Sequence, residues 1–432
     1  MKKTFLFLSI FAGIFTLTYA QAPVPASPQT KNIVLSNAVI HVGNGQVINN
    51  GSIRFENGII KQIGSQVEKT NAEEINLNGQ HIYPGLILPA TSLGLVEVGA
   101  LRPTHDYAEV GGLNPNVRAI SAYNVDSEIT PTLRSNGILM AQIMPRGGYI
   151  SGTSSIVELD GWTKEEAQHT IDNGLHINWI PMFTRGGFFS PSGNAEKNEK
   201  RNEDLKIFHD FFTEALSYFE KGGTNPKNIK MEAMKGLFDG SKILFIHTTF
   251  GREIIESVQF AQKYKVKKIV IVGGEDALPV ADFMKENNIS ILISRVHRLP
   301  NRPEEDVWNP YQMAAKMKEK GVLVGLTYDE NDNEPMGSRN LAFLAGTSAA
   351  HGLDKESALA TITANTAKIL GIDNKVGTLE VGKEATLVVS EGDILDMRTN
   401  KVTLGFIRGK KLDLNDKQKE LYQKYKKRYS EK

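Results

Sequence analysis

Residues 83–94 read YPGLILPATSLG. A Pro-Gly turn opens straight into an apolar run, which has the texture of a buried strand. This stretch lies at a seam. Before it, from Asn32 to Ile82, short alternating runs (NIVLSNAVI, GSIRFENGIIKQIG, EINLNG, HIY) are broken by Gly and Asn, the pattern of half-buried strands and turns. After it, apolar strand-like runs at 137–144, 154–159, 176–180, 242–247, 267–272, 289–294 and 321–327 are interspersed with helical spacing at 253–264, 277–287, 310–320, 340–351 and 355–370. Repeated βα units with near-continuous apolar strands predict a parallel sheet covered by helices. The stretch 377–412 returns to the first texture, so the two chain ends are expected to share one small sheet domain.

Three further stretches carry chemistry. Phe245-Ile246-His247-Thr248-Thr249 runs on to Glu253-Ile254, the next strand ends Gly273-Gly274-Glu275-Asp276-Ala277, and the last ends Leu326-Thr327-Tyr328-Asp329. With 83–94, these resemble the strand ends of the amidohydrolase superfamily, in particular its imidazolonepropionase-like members. The closing strands agree with that resemblance, matching "G-x-L-x-x-G-K-x-A-x-L-V-V" at Gly377, Leu379, Gly382, Lys383, Ala385, Leu387, Val388 and Val389. The resemblance implies an α/β fold: a TIM-like (β/α)8 barrel with a small β-sandwich domain formed from both chain ends. Its implied boundaries are 32–83 with 374–412 for the composite domain and 84–373 for the barrel. An insertion near 184–223 interrupts the rhythm, and 413–432 is expected as a charged helical tail.

The resemblance also locates what has been replaced. Where the family's first strand runs into a His-x-His metal pair, this chain has Ala90 and Ser92, with Leu88 in place of the preceding Asp. Thr249 stands for a second histidine after His247, and Gly273 for another ligand histidine. His247 and Asp329 remain as the implied catalytic residues and as an incomplete metal set, with Asp329 at the family's general-base position. Zinc or another divalent metal is the family expectation, although a catalytic metal normally takes three protein ligands plus an open position. His297, Thr249 and Tyr328 are assigned to substrate contacts. Each position also has a structural reading: His247 as a packed histidine, Asp329 as part of an acidic turn, and His297 as a surface or anion-contacting residue.

Composition narrows the alternatives. The chain has 432 residues, 40% of them hydrophobic, enough for one barrel with an accessory domain. It has no cysteine, which excludes disulfides, thiolate ligands and a cysteine nucleophile. A net charge of +1 gives no electrostatic reason to expect nucleic acid or an anionic membrane as a partner. Lys2 and Lys3, the apolar run from Phe5 to about Leu17 and Thr18-Tyr19-Ala20 predict a leader over 1–20, a Pro-rich linker over 21–31 and a periplasmic or secreted location. The functional expectation is an exported hydrolase of non-peptide C–N bonds in cyclic-amide, imidazolone-like or peptide-derived small molecules. The alternative is an inactive homologue that binds a ligand or supports a metal-complete relative, as a homo-oligomer or hetero-oligomer.

Overall fold

The computed structural model describes residues 24–185, 195–294, 296–300, 304–328 and 335–430. The expected leader, Asp329 and part of the 184–223 insertion therefore lie outside the described residues.

One eight-stranded sheet draws on both chain ends. Strands β1 (Asn32–His41), β2 (Val47–Glu56), β3 (Ile59–Gly64), β4 (Ala72–Asn76) and β5 (His81–Pro84) come from the first. A second sheet begins with β6 (Leu86–Thr91), two residues beyond the end of β5. It continues through β7 (Ile138–Ile143), β8 (Ile150–Glu158), β9 (Gln168–Asn178), then past the short hairpin β10 (Phe183–Arg185) and β11 (Ala195–Lys197), to β12 (Ile243–Phe250), β13 (Ile269–Asp276), β14 (Ser290–Ile293) and β15 (Val324–Leu326). Strands β16 (Leu387–Ser390), β17 (Val402–Ile407) and β18 (Lys410–Lys411) then rejoin the first sheet, with β16 antiparallel to β5. That sheet bends around one core of Leu35, Ile53, Phe55, Ile60, Leu387 and Phe406. Ile60 N–H donates to the Lys383 carbonyl at 2.9 Å, bringing the far edge back towards β16 in the manner of a sandwich.

The second sheet is the TIM-like barrel, with two departures from the expected pattern. Seven of its strands run parallel, but β8 runs antiparallel to both neighbours, β7 and β9. The links on either side of β8 are too short for a helical crossover, and short links make antiparallel neighbours. The helix expected over 355–370 is also broken, into Lys355–Ala360 and Ala364–Leu370. The intervening backbone fills the gap between β15 and β6: Leu326 N–H donates to Thr361 O at 3.0 Å, and Ile87 N–H to Ile362 O at 2.9 Å. Thr361, Thr363 and Thr366 turn their hydroxyls onto nearby carbonyls and hold this non-helical link.

Alternation along the strands sorts the side chains. Ile87, Met140, Ile156, Phe245, Val270 and Leu292 share the barrel interior, whereas Leu86, Leu139, Leu175, Leu244, Ile271 and Ile291 pack with the surrounding helices. Within the insertion, the helix Arg201–Glu220 buries Phe208, Phe211, Phe212, Ala215 and Tyr218.

Candidate active site

At the C-terminal end of β12, His247 lies two residues beyond Phe245 and so on the same, inward face. Register brings His176 of β9 opposite Phe245, and the two rings stack at 4.7 Å and 7°. This close approach depends on Gly174: a Cβ there would lie 2.3 Å from the Phe245 ring. His176 is fully buried, and its Nδ1 faces His247 Nε2 at 2.9 Å, a hydrogen bond between the imidazoles. Sequence reading placed His176 at a strand start without giving it a role. Its inward register with His247 was the available signal.

Both imidazoles are held neutral. Burial, together with the positive charge of Arg146, pushes His247 down to about 3. Burial first, then His247 and Arg146, holds His176 well below the ordinary histidine range. Arg146 follows β7, and its N–H donates to Tyr107 O at 2.6 Å. It lies in the short link between β7 and β8.

The other sequence-assigned residues occupy separate places. Thr249 is two residues beyond His247 on β12 and partly buried. Tyr328 follows β15 and packs, partly buried, against the main core. His297 is exposed and pairs through Nε2 with Thr347 Oγ1 on the helix Leu341–Ala350. Asp329 falls outside the described residues. Glu253 is buried beneath the mouth, accepting from Met182 N–H at 2.7 Å and Thr248 Oγ1–H at 3.1 Å. It fastens the start of the insertion to the barrel.

The described residues do not fit a divalent ion. Among them no three His, Asp or Glu side chains converge in a way that could hold one. The two imidazoles direct ring nitrogens at each other instead of at a shared point, beside a guanidinium that opposes a further cation. At the first-strand positions, Ala90 is packed in the barrel interior with φ +50°, its N–H donating to Gln142 Oε1 at 3.2 Å. Ser92 is buried.

A sequence profile described as "Amidohydrolase family" matches residues 197–412, half of the chain. The chain belongs to the amidohydrolase family. Members of this family usually bind a divalent metal. The structure is similar to that of an amidohydrolase from Thermotoga maritima, with a TM-score of 0.77 at 22% identity over 88% of this chain and 99% of that one. It also resembles phenylurea hydrolase B (TM-score 0.55, 12% identity, 89% and 97% covered). A Xaa-Pro dipeptidase with bound methionine in its active site gives a TM-score of 0.54 at 15% identity, with 88% and 100% covered. These likenesses establish a shared fold. No curated protein matches the sequence. Family membership and hydrolase neighbours together support a hydrolase.

Proposed function

We propose that the protein is an exported amidohydrolase-family hydrolase of an amide-type C–N bond, in which protein groups take over carbonyl polarisation from a metal centre. The observation that carries this reading is the His176–His247 pair, hydrogen-bonded and neutral beside Arg146 at the barrel mouth. A neutral imidazole donates to a carbonyl oxygen without first losing a proton to it, and a nearby guanidinium stabilises the charge that develops there. Asp329, at the family's general-base position, takes a proton as water adds to the carbonyl carbon. When the C–N bond breaks, the departing nitrogen recovers that proton. Cyclic amides and peptide-derived small molecules are the substrate class implied by the sequence resemblance, and the likeness to a Xaa-Pro dipeptidase and a phenylurea hydrolase supports a C–N bond as the target. Export is supported by Lys2, Lys3 and the apolar run that follows them.

The decisive experiment measures turnover on a panel of cyclic amides, ureas and dipeptides, with and without prior chelation. Chelator-insensitive activity is expected, with Asp329→Asn and His247→Gln each lowering kcat by about 100-fold or more while the melting temperature holds. Activity lost on chelation and restored by zinc sinks the metal-free assignment. Ala90, packed among apolar side chains where a ligand histidine is expected, favours a second reading as a ligand-binding or partner subunit. Absence of turnover on the whole panel selects it.

A further inference from the structure

The C-terminal helix Lys417–Ser430 buries no residue. Its first turn is nevertheless fixed to the barrel. Asp416 caps it by accepting from Lys419 N–H at 2.9 Å, while Asp416 Oδ2 accepts from Ser135 Oγ–H at 2.6 Å. Thr132 Oγ1–H donates to Gln418 Oε1 at 2.9 Å. Beyond that turn, Leu421, Tyr422, Tyr425 and Tyr429 fall within an arc of about 100°. They are 44%, 61%, 51% and 67% exposed.

Lysines and one arginine flank this stripe on both sides. By helical spacing, Lys419 and Lys426 border one edge, and Lys417, Lys424 and Arg428 the other. Six basic residues and one acidic residue give the helix a net +5, although the whole chain carries only +1. The remainder of the chain is therefore at −4, and whole-chain charge hides a concentrated basic element.

From this arrangement we infer that the helix docks on an anionic phospholipid surface. An aromatic stripe bordered by basic residues lets the rings settle at headgroup depth while the ammonium groups meet lipid phosphates. Tyrosine suits that position because its ring is apolar and its hydroxyl wettable. A second copy of the same helix is disfavoured by repulsion between two +5 elements. The inference revises the expectation that the folded protein has no membrane partner, and it does not depend on the hydrolase reading.

The test is co-sedimentation of the full chain with phosphatidylcholine vesicles and with vesicles containing about one-third phosphatidylglycerol. Neutral vesicles report any contribution from the apolar N-terminal run, which is common to all variants. Binding is expected to be at least about tenfold stronger to the anionic vesicles, and to fall to the neutral level in about 0.5 M salt. The triple variant Tyr422→Ser, Tyr425→Ser, Tyr429→Ser and the charge variant Lys424→Glu, Lys426→Glu should each lose most of the anionic preference without a change in melting temperature. Equal binding to both vesicle types, or an anionic preference retained by both variants, overturns the inference.

Discussion

At the scale of single residues, the mouth of the barrel is governed by desolvation. His247 and His176 hydrogen-bond as neutral rings where charging either one would bury a cation beside Arg146. The consequence for stability follows from linkage. Below the unfolded histidine value the unfolded chain binds more protons than the folded one, so this contribution is complete above about pH 6.5 and is lost as pH falls towards about 3. Each histidine adds at most about 1.4 kcal/mol per pH unit over that window. His247→Gln is therefore expected to flatten the fall in unfolding free energy between pH 7 and pH 4.5, as measured by urea denaturation at several pH values. A slope equal to wild type would show that His247 is not held neutral.

At the scale of elements, β9 and β12 are pressed together by a missing side chain. Gly174→Ala places a methyl carbon on the Phe245 ring, and relief requires either that ring or the strand to move. Such overpacking costs about 2 kcal/mol. At Gly45, where φ is +95° and no atom lies within 4 Å of an added Cβ, alanine meets only the backbone penalty of about 1 kcal/mol. Denaturation should rank the two variants in that order. Imidazole NMR signals should shift for His176 and His247 only in Gly174→Ala, and unchanged signals would reject the coupling of strand packing to the site.

The same elements show what was legible in the sequence. Apolar periodicity revealed the parallel strands because burial on both faces leaves an uninterrupted apolar run, as in Leu244, Phe245 and Ile246. The direction of β8 was not legible, because periodicity reports which residues are buried and is silent on which way a strand runs. The break at Thr361–Thr363 was hidden for a related reason. The apolar residues Ala358, Leu359 and Ile362 keep helical spacing across it, while the hydroxyls of Thr361 and Thr363 bond carbonyls three and four residues back. His247 was legible from its strand-end resemblance, whereas the role of Arg146 depends on burial and proximity that arise only in the folded barrel.

At the scale of the whole molecule, buried carboxylates on the barrel side pair with basic residues of the end-built sheet and tie the two together. Arg408, next to β17, pairs through Nε with Glu158 Oε1 at 2.7 Å, and Lys410 pairs with Asp160 at 3.1 Å. Burial raises the Glu158 carboxyl while Arg408 opposes that rise. Arg408→Ala removes the opposition and is expected to destabilise by about 2 kcal/mol near neutral pH. A carboxyl raised above its unfolded value loses stability as pH rises past that value, because the folded state then holds the extra proton. The deficit of Arg408→Ala relative to wild type should therefore be larger at pH 8 than at pH 5. A deficit independent of pH would place its cause in lost packing of the arginine stem.

Ile82 is aligned with Val389, about 300 residues further along the chain. The opening strands thus emerge from the ribosome long before the partners that complete their sheet exist. A nascent chain therefore cannot complete this sheet until its closing segment has been made.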